Sequence, residues 1–266
     1  MVETVARLRP DLLELAAEVV GEDPFPRVGE GTRFDQPAIY CAALAGLENA
    51  GRPQADLYAG HSMGEITALA AAGALSEEDG LRLVAERGRL MEATAAQAGG
   101  AMVAIRAGRE EAEPIADRHG LAVANDNSPD QVVLSGSLSG IEAAEAEAGE
   151  EGKRVKRLPI TGAFHSPLMA DAVEPFLSFL QDVELSAPRA PVFSCVTAEP
   201  FDDVRKRLSE ALMQPVRWVE VLHALHAAGG RRFQETGPGK ALVGLVRRTL
   251  DDVEVIAAEP AEAPRG

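Results

Sequence analysis

Residues 60–64 read Gly-His-Ser-Met-Gly and fit the pattern Gly-x-Ser-x-Gly, in which a serine occupies a sharp turn between a strand and a helix. The flanking residues have that context, because 55–59 predict a short strand and 65–72 are good helix formers. Such a turn holds the serine in a strained, exposed conformation, and the next helix points its free N–H groups at whatever the serine attacks. The pattern therefore predicts that Ser62 is a nucleophile.

A serine hydroxyl is a weak nucleophile until a base takes its proton, and the five histidines are the candidates for that base. His61 neighbours the serine, but the turn aims its side chain elsewhere. His119 resembles a cation at a helix C-terminus, and His223 with His226 form a pair that is more often surface than metal site. His165 remains. It follows a strand, precedes a helix and lies where an inserted unit returns to the main domain, which predicts a position in the cleft between the two.

The remaining candidate groups carry less information. Arg87 lies on a predicted helix, and its residue type alone indicates a solvated charge. Cys41 and Cys195 belong to no Cys-x-x-Cys or Cys/His cluster, which predicts two buried, reduced thiols and no metal site.

The composition restricts the possible partners. The chain has 266 residues, of which 46% are hydrophobic and 4% aromatic, and its net charge is −16. So acidic a chain disfavours nucleic acid and anionic membranes as partners. There is no basic-then-apolar leader and no run of 18 apolar residues, which predicts a cytoplasmic, soluble protein without a membrane segment.

Helices and strands alternate along most of the chain, which predicts an α/β protein with a mostly parallel sheet. Outside the middle segment, helices are predicted at 10–20, 36–50, 65–72, 168–181, 204–212 and 219–228, with one more after a capping box at 76–79 and a last one after 240. Strands are predicted at 55–59, 191–196 and 232–235, and the Gly- and Pro-rich stretch 21–33 is predicted to be loop.

The segment 99–162 has a different order and spacing of predicted strands and helices. Its strands and helices are predicted, in order, at 101–105, 109–118, 121–124, 131–135, 139–151 and 154–160. The succession β-α-β-β-α-β is the ferredoxin-like split βαβ arrangement. We therefore expect a small subdomain at 99–162, inserted into a large one formed by 1–98 and 163–257, and a disordered tail at 258–266.

Several further motifs identify the family that this chain resembles. They lie in family order and at family spacing, and they read Gly-His-Ser-Met-Gly-Glu at 60–65, Arg-Gly-Arg-Leu-Met at 87–91, Asn-Asp-Asn-Ser-Pro-Asp-Gln-Val-Val at 125–133, Gly-Ala-Phe-His at 162–165, Pro-Val-Arg-Trp at 215–218 and Glu-Thr-Gly-Pro-Gly-Lys at 235–240. With them the chain resembles the malonyl-CoA:acyl-carrier-protein transacylases and the acyltransferase domains of fatty-acid and polyketide synthases. The resemblance implies an α/β-hydrolase-like large subdomain with an inserted ferredoxin-like one.

The resemblance also implies roles for four residues. Ser62 is acylated, His165 is the base, and Arg87 pairs with the free carboxylate of the malonyl group. The backbone N–H of Met63 supplies one donor of the oxyanion hole. A bidentate arginine recognises a carboxylate strongly and selects against uncharged acyl groups.

The activity implied is transfer of malonyl from malonyl-CoA to the phosphopantetheine thiol of an acyl carrier protein, by a ping-pong mechanism through a malonyl-serine intermediate. The coenzyme A thioester is then a substrate, no cofactor is bound permanently, and the chain is expected to be a monomer serving fatty-acid, polyketide or malonate metabolism. The run Ala-Phe-His at 163–165 resembles the malonyl-specific form. Its phenylalanine would crowd a methyl group on the α-carbon, so malonyl is expected to be preferred over methylmalonyl.

The chain departs from the family pattern at two places. The family opens with a strand and a Phe-Pro-Gly-Gln-Gly-type turn, whose glutamine supplies the second oxyanion N–H, whereas this sequence begins Met-Val-Glu. We therefore expect that the family's N-terminal strand is missing here. Losing one such donor typically costs a factor of about 10² to 10³ in rate, so we also expect that the true start lies upstream. The family's glutamine whose carbonyl orients the histidine aligns with Ala211, where a main-chain carbonyl is equally available.

Two alternatives remain open. A serine esterase or thioesterase of similar fold would use the same serine and histidine, and a catalytically weakened domain would only bind a carrier. Because the family's carrier is acidic like this chain, docking requires a local basic patch. The candidates are Lys153-Arg154 with Lys156-Arg157, Arg231-Arg232, and Arg247-Arg248.

Overall fold

The computed structural model describes residues 1–258, so the predicted tail at 258–266 lies outside it apart from its first residue. The helices are α1 Val2–Leu8, α2 Pro10–Val20, α3 Thr32–Asn49, α4 Gly64–Ala71, α5 Glu77–Ala98, α6 Arg109–Arg118, α7 Leu138–Glu150, α8 Ala170–Gln181, α9 Val204–Glu210, α10 Trp218–Ala227 and α11 Ala241–Thr249. The strands are β1 Tyr58–Ala59, β2 Ala101–Ile105, β3 Ala122–Ser128, β4 Gln131–Gly136, β5 Val155–Arg157, β6 Val192–Phe193, β7 Arg232–Gln234 and β8 Glu254–Ile256. None of the described helices is both long and apolar enough to cross a membrane.

Helices α3 and α5 pack together at the centre of the larger hydrophobic cluster. The predicted capping box is present at the start of α5, where the Ser76 Oγ accepts a hydrogen bond from the Asp79 N–H at 2.9 Å. The larger apolar residues of this helix are buried, namely Leu81, Leu83, Val84, Leu90 and Met91. Arg87 is buried on the same helix, although its residue type alone indicates a solvated charge.

Parallel strands carry the turn at residue 60. β1 pairs with β6 in parallel, with Tyr58 opposite Val192 and Ala59 opposite Phe193, and β7 pairs with β8 in parallel. The predicted fold class, helices with parallel strands and a separate inserted sheet, is confirmed. β1 is shorter than the predicted strand at 55–59, because only its last two residues find partners on β6 before the turn begins.

The middle segment forms an antiparallel sheet with strand order β3-β4-β2-β5, and α6 and α7 pack against it. Its element order is the predicted β-α-β-β-α-β succession. The segment has a hydrophobic cluster of its own, which includes Ile105, Leu134 and Ile141 and contains only residues from 101 to 148. This separate cluster supports the division proposed at 99–162.

Strand β3 continues further than the sequence predicts. The prediction ends the strand at residue 124, where apolar residues give way to polar ones, but the strand runs to Ser128. Asn125, Asp126 and Asn127 are all buried, and Asn125 and Asp126 pair with β4 despite two register shifts in the strand. The backbone pairing and the 2.8 Å contact of Asn127 Oδ1 with His61 Nε2 offset part of the cost of this burial, and a hydrophobic pattern does not reveal such contacts.

Strand β3 also joins the inserted sheet to the large unit. The Asp126 N–H donates to the Val216 carbonyl at 2.9 Å, and the Val216 N–H donates to the Ala124 carbonyl at 2.8 Å. Val216 precedes α10 and belongs to the large unit. Backbone hydrogen bonds thereby fix the position of the insertion against the segment 211–217.

The sequence analysis missed α1, β8 and the first turn of α3. Helix α3 begins at Thr32, four residues before the predicted start, directly after the Gly- and Pro-rich stretch. That stretch is loop as predicted, apart from a 3-10 turn at Phe25–Arg27. Strand β8 has three residues and pairs only with β7, so its sequence is too short to signal a strand.

The close packing of α3 on α5 depends on Gly88. A Cβ atom added there would lie 2.3 Å from the Thr32 carbonyl oxygen, whereas one added at Gly149 in α7 would meet nothing within 4 Å. We expect Gly88→Ala to lower the free energy of unfolding by about 1–3 kcal/mol. The control Gly149→Ala should raise it by about 0.5–1 kcal/mol, because alanine favours helix over glycine. Urea unfolding measures both, and equal stability of the two variants would contradict the close approach.

Candidate active site

Ser62 occupies the turn between β1 and α4 in a left-handed conformation, with φ 53°. Positive φ is unfavourable for a residue with a side chain, and the turn is closed by hydrogen bonds from the N–H groups of Gly64 and Glu65 to the carbonyls of His61 and Ser62. A Cβ at Gly60 would lie 1.9 Å from the Gly64 carbonyl oxygen, so only glycine fits there. The predicted strand–turn–helix geometry is present.

The His165 side chain reaches the serine. Ser62 Oγ and His165 Nε2 lie 2.8 Å apart, although 103 residues separate them along the chain. His165 Nδ1 lies 2.7 Å from the Ala211 carbonyl oxygen and 3.1 Å from that of Gln214. Carbonyls only accept hydrogen bonds, so Nδ1 carries the proton and the unprotonated Nε2 accepts from the Ser62 hydroxyl.

Burial keeps the His165 imidazole neutral. The residue is 4% exposed. Burial in the first place, and then the positive charge of Arg87, lower the pKa of His165 from 6.5 to about 3. At neutral pH the ring is therefore in the form that can take a proton from Ser62.

The backbone N–H of Met63 is free to bind an anion. Met63 directly follows the serine and is the N-cap residue of α4. Its amide makes no hydrogen bond within residues 1–258, whereas the next two amides close the turn. A free N–H at a helix N-terminus beside a serine hydroxyl is a donor available to an anion.

The Arg87 guanidinium is buried beside the serine without a carboxylate partner. It is 3% exposed, its Nη2 donates to Ser62 Oγ at 3.1 Å, and its Nη1 donates to Gln36 Oε1 at 2.9 Å. Burial lowers the pKa of Arg87 to about 10, although the charge of Glu65 opposes this shift. Within the described part of the chain it takes part in no ion pair at or below 4.0 Å. An anionic group of a ligand would compensate this buried charge.

A buried carboxyl group supports the turn from the side of β6. Glu65 is 1% exposed, and its Oε1 accepts a hydrogen bond from the Cys195 N–H at 2.6 Å. Burial raises the pKa of Glu65 to about 7. The contact ties the first turn of α4 to the residues that follow β6. Cys195 and Cys41 are both buried and unpaired, as expected.

The other histidines do not reach the serine. His61 Nε2 lies 2.8 Å from Asn127 Oδ1, so the turn aims this ring away from the hydroxyl as predicted. His119 Nε2 lies 2.6 Å from Glu147 Oε2. Residues 1–258 contain no group of three or more His, Cys, Asp or Glu side chains placed to hold a metal ion.

Three residues that contact Arg87, His61 or His165 received no role in the sequence analysis, namely Gln36, Asn127 and Gln214. Gln36 is a polar residue on the buried face of a helix, and Asn127 lies in the polar run that continues β3. A buried polar side chain in an apolar setting is a signal that could have found both. Gln214 contacts the histidine through its main chain, so its residue type carries no signal.

Comparison with known proteins shows that the chain belongs to a family of acyl transferase domains. The model of the acyl transferase domain family matches residues 17–262, and the chain belongs to this family. The solved structure of a malonyl-CoA:acyl carrier protein transacylase from Xanthomonas oryzae pv. oryzae is similar with a TM-score of 0.90 at 34% identity. The match covers 98% of this chain and 90% of that one. The resemblance drawn from the motifs is thereby confirmed.

Curated relatives differ in length. The polyketide biosynthesis malonyl CoA-acyl carrier protein transacylase BaeC of Bacillus velezensis is 36% identical, over 93% of this chain and 91% of its own length. The polyketide biosynthesis protein ThaF of Burkholderia thailandensis is 41% identical over 91% of this chain, but the chain spans only 22% of that protein. Relatives of this domain therefore include both a protein of similar size and a much longer one.

The lowered pKa of His165 has a consequence for stability. The folded-state value of about 3 lies below the ordinary value of 6.5, so the unfolded chain binds the proton more readily between these limits. The stabilisation from the neutral ring is full above about pH 6.5 and is lost as the pH falls toward 3. Between pH 7 and pH 5 we expect the free energy of unfolding of the wild type to fall by up to about 1.4 kcal/mol per pH unit more than that of His165→Gln.

Urea titrations at the two pH values measure this difference. His223→Gln is the control for the exchange itself, because it makes the same replacement at an exposed site on α10. Equal losses in wild type and His165→Gln would show that burial does not keep this ring neutral.

Proposed function

We propose that the chain transfers a malonyl group from malonyl-CoA to the phosphopantetheine thiol of an acyl carrier protein, with Ser62 as nucleophile and His165 as base. Relatives whose names state this activity support the proposal. The observation that carries it is the buried Arg87 guanidinium, 3.1 Å from the Ser62 hydroxyl oxygen. An uncharged acyl group has no use for such a cation, whereas malonyl brings a carboxylate to it.

In the first half-reaction the Ser62 oxygen attacks the thioester carbonyl carbon, and its proton passes to His165 Nε2. The Met63 N–H stabilises the oxyanion of the tetrahedral intermediate. The carbonyls of Ala211 and Gln214 hold the Nδ1 proton and favour the imidazolium that forms. Collapse breaks the carbon–sulfur bond, the coenzyme A sulfur takes the proton from His165, and a malonyl ester of Ser62 remains.

The second half-reaction reverses these steps with a new thiol. The carrier thiol gives its proton to His165 Nε2, and its sulfur attacks the ester carbonyl of the acylated serine. The oxyanion binds the same Met63 N–H. When the intermediate collapses, the Ser62 oxygen leaves and recovers its proton from His165, so that the free enzyme is regenerated.

The rival functions differ in what becomes of the acylated serine. A thioesterase would pass the malonyl group to water and release malonate, and a weakened binding domain would form no acyl-serine at all. The relatives of similar length are transacylases, which favours transfer to a thiol.

Intact mass after mixing with malonyl-CoA tests the acylation step. Wild type should gain one malonyl group, and Ser62→Ala should gain none. Methylmalonyl-CoA should react more slowly, because we propose that the buried Phe164 beside His165 crowds the extra methyl group. Addition of the carrier should move the malonyl group to the carrier thiol, and release of free malonate instead would favour the thioesterase.

Arg87→Met tests recognition of the carboxylate. Methionine keeps much of the length and removes the charge, so malonyl acylation should fall by at least about 30-fold, since loss of a buried charge partner costs about 2 kcal/mol or more. Acylation from acetyl-CoA, which has no second carboxylate, should change much less. Equal losses with the two thioesters would show that Arg87 serves the structure and not the substrate.

We propose that the carrier docks on a groove lined by Arg106, Arg154, Lys156 and Arg248, in which Arg106 and Arg248 pair with Asp130 of the same groove. Arg154 and Lys156 are exposed and belong to no ion pair in the described part of the chain. The neighbouring cations are less available, since Lys153 pairs with Glu111 and Arg157 pairs with Glu145. Of the other predicted cations, Arg248 lines the groove itself, whereas Arg232 pairs with Glu254 and Arg247 donates to the Val255 carbonyl.

Two double variants of the same short segment test the groove. Arg154→Gln with Lys156→Gln should raise the carrier KM several-fold and leave acylation by malonyl-CoA unchanged. The control, Lys153→Gln with Arg157→Gln, removes the same amount of charge from cations that are already paired, so the carrier KM should rise less. A higher KM for malonyl-CoA in the first variant would assign the groove to the phosphates of coenzyme A, and equal effects of both variants would remove the proposal.

A further inference from the structure

The side chain of Gln36 is the only side chain of the described residues, other than Ser62, to which the Arg87 guanidinium donates a hydrogen bond. Gln36 lies in the first half of α3 and is 6% exposed. Its Oε1 accepts from Arg87 Nη1 at 2.9 Å, and its Nε2 donates to Met91 Sδ at 3.4 Å. The amide therefore lies between the guanidinium and the apolar core.

The orientation of this amide is determined by its neighbours. A guanidinium has only donors, so the oxygen of the amide must face Arg87. The thioether sulfur of Met91 is an acceptor, so the NH₂ group must face the sulfur. Rotating the amide by half a turn would place donor against donor, and the buried side chain therefore has one favourable orientation.

The position of Gln36 is set by two contacts between α3 and α5. The Thr32 hydroxyl donates to the Gly88 carbonyl at 2.8 Å, and the Arg33 N–H donates to Glu92 Oε2 at 3.2 Å. On α5 the two acceptors, Gly88 and Glu92, lie one and five residues after Arg87. The two contacts fix the first turns of α3, and with them Gln36, against the arginine.

The neutrality of the amide matters for what Arg87 can bind. A glutamine oxygen holds the guanidinium in place but does not cancel its charge. A carboxylate at the same position would form a buried ion pair with Arg87 and occupy the charge that a substrate carboxylate needs. Two of the five guanidinium N–H groups are used, by Gln36 and Ser62, so further donors remain for a ligand.

We propose that Gln36 is a positioning residue that determines acyl specificity. It holds Arg87 beside Ser62 as a charged but unpaired donor, and so selects thioesters whose acyl group ends in a carboxylate. This inference rests on the proposed function, because it assigns the selectivity of the same acylation step to a residue that does not touch the reacting atoms.

Gln36→Glu is the decisive variant, because it changes one amide into a carboxylate of nearly the same shape. Acylation of Ser62 from malonyl-CoA should fall at least about 30-fold, while acylation from acetyl-CoA should change less than about threefold. The ratio of the two rates is the readout, since a merely structural defect would lower both. The control is Gln97→Glu on α5, which adds the same charge at an exposed site and should keep the wild-type ratio.

A neutral variant keeps the inference testable if Gln36→Glu does not fold. Gln36→Met removes the acceptor without adding charge, so Arg87 loses its orientation and the malonyl-CoA KM should rise several-fold with the acetyl-CoA KM unchanged. Labelling of Ser62 by an uncharged phosphonofluoridate reports the integrity of the serine and histidine, and it should stay at the wild-type rate in each variant.

The outcomes separate the inference from the function on which it rests. Suppose that the wild type prefers malonyl-CoA to acetyl-CoA. If Gln36→Glu (or Gln36→Met, should the first variant not fold) keeps that preference, the inference is wrong and the proposed function stands. If wild type reacts with the phosphonofluoridate but accepts malonyl and acetyl equally, the proposed function is wrong and the inference fails with it.

Discussion

A positive charge buried beside a serine hydroxyl is the constraint on which the site depends. Arg87 is almost fully buried, and its pKa, although lowered to about 10, still leaves it charged at neutral pH. The same burial, together with the Arg87 charge, lowers the pKa of His165 and keeps that ring neutral. This buried cation thus has two effects, because it attracts an anionic ligand and adds to the burial that keeps the neighbouring imidazole neutral.

The fold brings distant parts of the chain to this charge. The turn between β1 and α4 contributes Ser62, and helices α3 and α5 contribute Gln36 and Arg87. The segment before α8 contributes His165. The segment 211–217 supplies two carbonyls to His165 and is itself bonded to β3 of the inserted sheet. The insertion is therefore part of the framework that orients the histidine, and not only a wall of the cleft.

The positions of several site residues follow from strained or close-packed backbone. Ser62 and His165 both have positive φ, which side chains rarely adopt, and Gly60 and Gly88 lie where a Cβ would collide with a carbonyl. Such conformations persist only where surrounding contacts hold them, as the Glu65 carboxyl does at the end of β6. The backbone at Ser62 and His165 is held by packing from other elements.

The sequence by itself determined the fold class and the turn at Ser62, because these depend on local patterns such as alternation, capping and a glycine-flanked serine. It selected His165 by elimination among the five histidines. Only the tertiary structure decided which polar groups are buried together. Arg87 has the sequence signature of a solvated charge, the polar end of β3 resembles a loop, and Gln36 and Gln214 carry no motif. Burial, hydrogen bonding and shifted pKa values arise between residues far apart in the chain, and a pattern of neighbours does not encode those distances.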